Sequence, residues 1–390
     1  MNNFSKTLCL LLATICLCCS PLLFAHGENG MQVSGNPGKR VFFKSYYFPN
    51  TEPLAEDEMR VIALGTGNPD LRKSQVAPSW FVELGNGDKF FFDVGIGSQV
   101  NFPALQISFR DADKVFLTHL HVDHAGDLDA LWLSGWVSNR YDRPLRVWGP
   151  SGAKPEYGTR NFVEKHREVW KWDVDSRHGK LPAAGAGIEV NEFDFSKTQV
   201  VYDENGVKIT SFPALHIMDG PVSYRLDWNG LSFAYSGDTT PTRFFVDNTQ
   251  GVDLLVHETF PTAEQMEERI GWDKETAVLV GQFVHTDPED AGKVFAMTKP
   301  RMAVGYHHWD DFDLRYDVYD KVRKHYDGPL TMAMDGLVFN VNKDAITVRK
   351  LVAPDNTYEE IVDPEEYGNA PRGENIPPSD WLLKGRLFPR

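Results

Sequence analysis

Residues 115–124, VFLTHLHVDH, place three histidines and one aspartate within six positions, directly after an apolar run that is typical of a β-strand. No helix or strand can aim all four of these side chains at one point, whereas a tight loop at the end of a strand can. Imidazole and carboxylate groups that converge in this way are the usual donors of a metal site. We therefore expect a short buried strand at 115–117 and, beyond it, the ligands His119, His121, Asp123 and His124.

Three more candidate ligands lie just beyond the ends of other apolar runs. They are His216 in PALHIMDGPVSY, Asp238 in AYSGDTT and His307 in AVGYHHW. Taken alone, a histidine of this kind is usually a core or surface residue, and an aspartate in a Ser-Gly-Asp-Thr turn usually binds backbone amides. Because strand ends can meet at one edge of a sheet, the three together are expected to converge on the loop that contains His119.

The order of these elements resembles the metallo-β-lactamase superfamily, in which HxHxDH is followed by a histidine, a Gly-Asp pair and a final histidine. The resemblance spans roughly Met59 to Val341 and points to the branch that holds tRNase Z and the metallo-lactamase-type arylsulfatases. The branch's other signatures have counterparts in ALGTGNP at 63–69, FFDVG at 91–95, HET at 257–259 and HT at 285–286.

The resemblance implies an α+β fold, the metallo-β-lactamase-like four-layer αββα sandwich. The residue pattern favours the same architecture, because strands outnumber helices and the helices fall between groups of strands. Helices are expected at Asp127–Val137, Phe162–Trp172 and Pro288–Met297, the last with Asp287 as its N-cap.

The resemblance also implies two divalent cations. They would be zinc by default, with iron or manganese as alternatives, because a nitrogen and oxygen donor set accepts each of these metals. A hydroxide between the two metals would be the nucleophile. The implied ligands are His119, His121 and His216 for the first ion, Asp123, His124 and His307 for the second, and Asp238 as the bridge.

The catalytic residues implied in this way are Asp123, which is also a ligand, with His285 and Glu258. His285, oriented by Glu258, would protonate the leaving oxygen; the alternative is that it merely precedes the helix at Pro288. Behind the ligands, Asp93 would accept hydrogen bonds that fix the ligand loop.

Four other histidines have less defined roles. His308 is expected to support the site or to line the pocket beside His307. The other three, His166, His178 and His325, lie outside any such pattern and are expected to be solvated.

The chain of 390 residues carries a net charge of −15, which disfavours a polyanionic partner, so we expect no nucleic acid. All four cysteines lie between Cys9 and Cys19, inside an apolar segment that resembles a signal peptide ending near Ala25. The protein is therefore expected to be exported, periplasmic or secreted, with no stable membrane span after cleavage. An uncleaved anchor and lipid attachment at Cys18 or Cys19 remain alternatives.

The expected organisation is a signal peptide at 1–25, a lead-in at 26–57, a hydrolase domain at 58–350 and a C-terminal extension at 351–390. Within the hydrolase domain, residues 155–200 look like an irregular insert that is rich in aromatic residues. Aromatic walls suit a small organic ester, although the same rings could simply pack the insert onto the domain.

These features predict an exported dinuclear metal-dependent hydrolase of small esters, with arylsulfatase-like hydrolysis of a sulfate ester as the first reading. The alternatives are a phosphodiesterase of the tRNase Z-like branch, a lactonase, and a non-catalytic metal-binding protein. β-Lactamase activity is disfavoured because Asp238 stands where those enzymes usually carry cysteine. A homodimer is left open.

Overall fold

The computed structural model describes residues 40–70 and 72–388. The predicted signal peptide at 1–25 and the first part of the predicted lead-in lie outside the described residues. Within the described part of the chain, no helix is both long enough and apolar enough to cross a membrane.

Two mixed β-sheets form the centre of the described chain. The first has nine strands in the spatial order β1 (Arg40–Tyr47), β16 (Ala345–Leu351), β15 (Leu337–Val341), β2 (Met59–Gly65), β3 (Ser79–Leu84), β4 (Lys89–Phe92), β5 (Lys114–Phe116), β6 (Leu145–Pro150) and β7 (Ile188–Phe193). The second has seven, in the order β14 (Leu330–Met332), β13 (Met302–Tyr306), β12 (Leu254–Glu258), β11 (Leu231–Tyr235), β10 (Val222–Trp228), β9 (Val207–Pro213) and β8 (Gln199–Glu204).

Helices cover the outer faces of both sheets. The α-helices are α1 (Val122–Ala125), α2 (Leu128–Ser138), α3 (Thr159–Val169), α4 (Lys171–Arg177), α5 (Arg243–Asn248), α6 (Ala263–Ile270), α7 (Lys274–Leu279), α8 (Pro288–Thr298), α9 (Phe312–Arg323) and α10 (Asp380–Lys384). Shorter turns are π-helical at Val280–Val284 and 3₁₀ at Ser98–Val100, Pro103–Leu105, Pro155–Tyr157, Ala184–Ala186 and Pro364–Tyr367. As predicted, Asp287 caps α8 by accepting a hydrogen bond from the Asp290 amide.

The main hydrophobic core lies between the sheets. Phe92 and Phe116 of the first sheet pack against Tyr224 and Phe233 of the second, with ring centroids 5.2 to 5.7 Å apart. A separate apolar cluster joins α2 to the outer face of the first sheet, and another joins α8 and α9 to the second. The predicted α+β sandwich is therefore confirmed.

Several edge elements were not anticipated from the sequence. β1 lies inside the predicted lead-in and pairs in parallel with β16. The segment at 155–200 contains the helix predicted at Phe162–Trp172, which the structure divides at Trp170 into α3 and α4; it also supplies the edge strand β7 and the start of β8, which were not predicted within it. The C-terminal extension returns to this segment, since the amides of Gly179 and Ala183 donate to the carbonyls of Arg372 and Pro371.

Parallel pairing positions the site. β4, β5 and β6 are parallel neighbours in the first sheet, and β11, β12 and β13 are parallel neighbours in the second. The carboxyl ends of parallel neighbours lie at one edge of a sheet, which is where α/β proteins build their sites. The predicted ligand loops follow β5, β11 and β13, and they meet at this edge.

Candidate metal centre

The first donor cluster contains His119, His121, His216 and Asp238, whose donor atoms all lie within 4.8 Å of one another. The Nδ1 atom of His121 lies 3.0 Å from Nε2 of His119 and 3.3 Å from Nε2 of His216. Two nitrogens that share a tetrahedral zinc ion are separated by about 3.3 Å, given Zn–N bonds of about 2.0–2.1 Å. The spacing of the three imidazoles therefore fits a single cation.

The second donor cluster contains Asp123, His124, His307 and again Asp238. The Nε2 atom of His307 lies 3.3 Å from Asp123 Oδ2 and 3.4 Å from Asp238 Oδ1. The Nε2 atom of His124 lies 3.0 Å from Asp238 Oδ1, yet neither atom has a hydrogen-bond partner among the described residues. Two buried polar atoms that approach without hydrogen bonding are what a shared cation requires.

Asp238 joins the two clusters through its two oxygens. Its Oδ2 atom lies 3.9 Å from Nε2 of both His119 and His216, whereas Oδ1 faces His124 and His307. Gly237, immediately before it, has φ 59°, and a Cβ atom there would lie 2.7 Å from Thr118 Cβ. Glycine therefore allows the Asp238 turn to approach the loop after β5 closely.

The pKa shifts of the first cluster suit a bound cation, and in the second cluster the surroundings of His124 favour positive charge. Burial lowers the pKa of His119 well below its ordinary value and that of His216 to about 4, so both rings are neutral, as ligands must be. Burial opposes a charge on His124, but Asp238, Asp93 and Asp123 raise the pKa of this ring well above its ordinary value. Carboxylates that surround one buried imidazole in this way favour positive charge at this point.

Asp93 holds the ligand loop from behind. Its Oδ1 atom accepts a hydrogen bond of 2.7 Å from the Thr118 amide. Its Oδ2 atom lies 2.6 Å from His124 Nδ1 and accepts hydrogen bonds of 2.8 Å from the hydroxyls of Thr118 and Tyr235. The Nδ1 atom of His124 is thus engaged, and Nε2 is left to face the cluster.

Backbone groups orient two of the other ligands. The Nδ1 atom of His216 lies 2.9 Å from the carbonyl oxygen of Val284, at the end of the π-helical turn. His307 has φ 71°, a left-handed conformation that is uncommon outside glycine, and its amide donates to the carbonyl of Thr66. Both partners are backbone carbonyls, which carry no side-chain signature of their own, so neither contact was anticipated, although Thr66 lies within the ALGTGNP signature.

His285 and Glu258 form a buried pair beside the bridging carboxylate. The Nδ1 atom of His285 lies 2.9 Å from Glu258 Oε2 and 3.8 Å from Asp238 Oδ2. The ring stacks on Phe260 with centroids 3.8 Å apart, and Glu258 Oε1 accepts a 2.5 Å hydrogen bond from the Thr239 amide. Burial lowers the pKa of His285, and burial together with Asp238 raises that of Glu258, so both shifts disfavour an ion pair.

The family model described as "Beta-lactamase superfamily domain" matches residues 88–308, more than half of the chain. The chain belongs to the β-lactamase superfamily. Membership of this superfamily carries divalent metal binding with it, and the protein is a metal-dependent hydrolase.

Curated relatives agree with this family, and solved structures agree with the fold. Ribonuclease Z of Mycobacterium marinum (strain ATCC BAA-535 / M) is 31% identical over 205 residues, covering 51% of this chain and 70% of that protein. The metallo-β-lactamase fold protein YhfI from Bacillus subtilis superposes with a TM-score of 0.57 at 16% identity, covering 73% of this chain and all of that one (100%). The short form of human tRNase Z gives 0.52 at 18% identity, covering 72% of this chain and 98% of that chain.

A cavity of about 460 Å³ adjoins the first donor cluster of this β-lactamase superfamily protein. It is bounded by His119, His121 and His216 on one side, and by α3 with the loops at 150–157 and 217–221 on the other. A volume of this size lies within the range of about 300–1,000 Å³ that is usual for small-molecule sites. The cavity therefore gives the metal centre a compartment suited to a small organic group.

The aromatic residues of the predicted insert divide between two roles. Tyr157 and Phe162 line the cavity, whereas Phe193 and Phe195 pack against the core between the sheets. Trp132 and Trp136 lie just upstream and are buried, with their indole N–H groups donating to the carbonyls of Ala186 and Pro182. The packing interpretation therefore holds for part of the set, and a role of Tyr157 and Phe162 as walls for a substrate stays a prediction; Trp170 and Trp172 are exposed and line no part of this cavity.

Two histidines differ from expectation. His308 is fully buried, and its Nδ1 atom lies 3.1 Å from Thr259 Oγ1; within the described residues it hydrogen-bonds to no ligand and lines no part of the cavity. His166 was expected to be solvated but lines the cavity, with Nδ1 2.5 Å from Asp129 Oδ1. Its partner lies 37 positions away in sequence, which is why no local pattern revealed it. His178 is half-buried, and His325 lies 3.6 Å from Glu289, away from the metal centre.

Proposed function

We propose that the protein is a phosphodiesterase that uses two zinc ions and acts on small organic diesters. The observation that carries the proposal is the pair of donor clusters that share Asp238, with the His285–Glu258 pair against the same carboxylate. The similarity to ribonuclease Z supports a phosphoric rather than a sulfuric ester, because a ribonuclease cleaves phosphodiester bonds. The phosphodiesterase alternative therefore replaces the arylsulfatase-like reading as the preferred one.

Two bound cations would supply Lewis acidity and would lower the pKa of a water molecule towards about 7. The chain's own residues perform the remaining tasks. The imidazoles and carboxylates of the two clusters hold the cations. Asp93 fixes the loop after β5, which carries most of these ligand side chains. His285 donates a proton to the leaving oxygen, and Glu258 orients the ring through Nδ1.

Charge and cavity composition support a small substrate over a polynucleotide. Among the described residues that line the cavity, Lys165 is the one lysine or arginine, and it is outnumbered by Asp129, Glu156 and Asp219. Polynucleotide sites are usually basic, because phosphate contacts dominate affinity. RNA is the second candidate substrate, because the curated relatives are named ribonuclease Z. The experiment therefore includes an RNA substrate.

The test is a substrate panel with the zinc-loaded protein. It compares bis(p-nitrophenyl) phosphate, p-nitrophenyl phosphate, p-nitrophenyl sulfate, a γ-lactone and a single-stranded RNA, with and without chelator. We expect the diester to have the highest kcat/KM and chelation to abolish its hydrolysis. Preference for the sulfate, the lactone or RNA would contradict the proposal, and two bound ions without any hydrolysis would indicate a binding protein.

Asp238→Asn provides the variant, and Asp253→Asn its matched control. Asp253 is also a hydrogen-bonded carboxylate, bound to Ser232 and Arg301, but it lies outside both donor clusters. We expect the first substitution to abolish diester hydrolysis and the second to retain it. Equal activity of the two variants would contradict the role of the shared carboxylate.

We also propose export through the N-terminal segment, which rests on sequence alone. Expression with the segment intact, followed by fractionation and mass measurement, tests it. A periplasmic or secreted product that begins near residue 26 would support the proposal, whereas a full-length cytoplasmic product would contradict it.

A further inference from the structure

Two polar side chains that line the cavity, Asp129 and Asn161, have partners within the protein, whereas Glu156 and Asp219 are exposed residues. Asp129 accepts from Nδ1 of His166 at 2.5 Å and also from the indole N–H of Trp170. The side-chain amide of Asn161 donates to the backbone carbonyl of Glu156 at 2.9 Å. Because these groups already have partners, they offer little to a polar ligand. The remaining contacts available in the cavity come mainly from Tyr157, Phe162, Val169, Ile217, Met218 and Pro221.

An apolar rim, which we define as Val122, Ile217, Met218 and Phe283, lies beside the same centre. Val122 is 56% exposed and sits between two ligands, while Ile217 and Met218, 68% and 52% exposed, directly follow a third. Phe283 is 70% exposed and precedes the residue whose carbonyl orients that third ligand. Large apolar side chains that are exposed to solvent beside a site often mark a surface that a ligand covers.

Ile217 and Met218 belong to both the rim and the cavity wall, so this part of the rim is continuous with the cavity. This surface reaches the first donor cluster, since the cavity is also lined by His119, His121 and His216. An ester whose phosphate lies at the clusters would therefore have one substituent directed onto apolar surface. A sugar or a nucleotide at that position would gain little there, whereas an alkyl or arylalkyl group would be removed from water.

We propose that the substrates are amphiphilic diesters, in which one long apolar arm lies in the cavity and against the rim. This inference rests on the proposed phosphodiesterase function and specifies its substrate class. The cavity and the rim are occupied by the apolar arm of one dissolved substrate molecule. We infer this because the cavity is bounded on two sides and adjoins the metal-binding histidines. Val169 and Met218 are specificity-determining residues in this arrangement.

The kinetic test uses p-nitrophenyl alkyl phosphodiesters from methyl to decyl, each below its critical micelle concentration. Burying a methylene contributes up to about fourfold in affinity, so kcat/KM should rise by about two- to fourfold per methylene until the cavity is filled. Val169→Asp places a charge on the wall and should flatten this dependence. Val137→Asp is the control, because Val137 is also an exposed valine near the end of a helix but does not line this cavity.

A binding measurement supplies a readout that is independent of turnover. Isothermal titration calorimetry with methylphosphonate and decylphosphonate should give at least about a hundredfold lower Kd for the decyl compound, given several buried methylenes. Val169→Asp and Met218→Ser should reduce this ratio, and Val137→Asp should not. Equal Kd values for the two phosphonates in the native protein would overturn the proposal.

The outcomes also separate this inference from the function on which it rests. Hydrolysis of the methyl diester with no dependence on chain length would overturn the inference and leave the phosphodiesterase function standing. Tighter binding of decylphosphonate without hydrolysis of any diester would support the apolar arm and contradict the function. Activity that appears only when the decyl diester is embedded in phosphatidylcholine vesicles would also overturn the inference, because it would assign the rim to a lipid surface.

Discussion

Substitution of Asp93 by asparagine should weaken zinc binding without touching any ligand directly. Asp93 has φ 59°, and asparagine tolerates this left-handed conformation as well as aspartate does, so the backbone is not disturbed. If the new NH₂ group occupied the Oδ1 position, it would face the Thr118 amide, which cannot become an acceptor. If it occupied the Oδ2 position, it would face His124 Nδ1, which is 2.6 Å away in the native protein.

The second orientation shows why metal affinity should fall. The hydroxyls of Thr118 and Tyr235 can rotate to accept a hydrogen bond, but His124 can do so only by moving its proton to Nε2. That is the atom that faces Asp238 and would bind the cation. Loss of such a supporting carboxylate typically costs about 10–100-fold in metal affinity. The unsatisfied buried group should also cost about 1–3 kcal/mol of unfolding free energy.

The assay combines zinc titration against a chromophoric chelator with urea unfolding in excess EDTA. Asp253→Asn is the control, because this carboxylate accepts from Ser232 and Arg301 but lies outside the donor clusters. We expect both variants to lose stability and Asp93→Asn alone to lose affinity at one of two sites. Native affinity at both sites in Asp93→Asn would refute the supporting role of Asp93.

Three further predictions address other parts of the account. His285→Ala should lower kcat by about 10²–10⁴ for alkoxide leaving groups and by less for p-nitrophenolate, so a Brønsted plot should steepen; an unchanged slope would contradict the acid role. Gly95→Ala would put a Cβ atom 1.9 Å from the Asp123 carbonyl oxygen. It should therefore lower the free energy of unfolding by about 1–3 kcal/mol and reduce the zinc content found by metal analysis. Native values of both quantities would contradict this. Burial raises the pKa of Asp335 from 3.8 to about 6. The contribution of its protonated form to folding stability is therefore complete below about pH 4 and is lost as the pH rises through about 6. In EDTA, Asp335→Asn should remove a pH dependence on the order of 1–3 kcal/mol between those limits, and an unaltered profile would contradict the shift.

The convergence of distant ligands was predictable because each has a local signal. The loop after β5 holds its donors within six positions, and His216, Asp238 and His307 each follow an apolar run that is a strand in the structure. Parallel pairing aligns the ends of β11 and β13 through β12, and β9 runs in the same direction because it is joined to β11 through the antiparallel β10. Packing of the two sheets then brings these ends to the loop after β5, and a strand-end rule anticipates only the first part.

Edge strands and amphipathic helices were harder to recognise. β7 (Ile188–Phe193) alternates apolar and acidic or polar residues and is only partly buried, so it gave a weak strand signal. α9 was also missed, because most of its twelve residues are polar or charged and only Val318 and Val322 are buried. Stability in both cases comes from packing against neighbours, which a local pattern does not contain.

Groups that support the site were predictable only where a side chain carries a motif. Glu258 and His285 stand in recognisable pairs, and they meet at 2.9 Å in the structure. By contrast, the carbonyl of Val284 orients His216 through a backbone atom that any residue would provide. The contact between the side chains of His166 and Asp129 was also not predictable, because it depends on how α3 packs over α2.

Anomalous diffraction at the zinc absorption edge, from crystals of the zinc-loaded protein, tests the central claim most directly. We predict two peaks about 3.5–4 Å apart, as in other two-metal sites. One should lie about 2.0–2.1 Å from nitrogens of the first cluster and the other at the same distance from His124 and His307, with Asp238 between them. A single peak bound by Glu258 and His285, whose donor atoms form a third group with Asp238 and His307, would contradict the account.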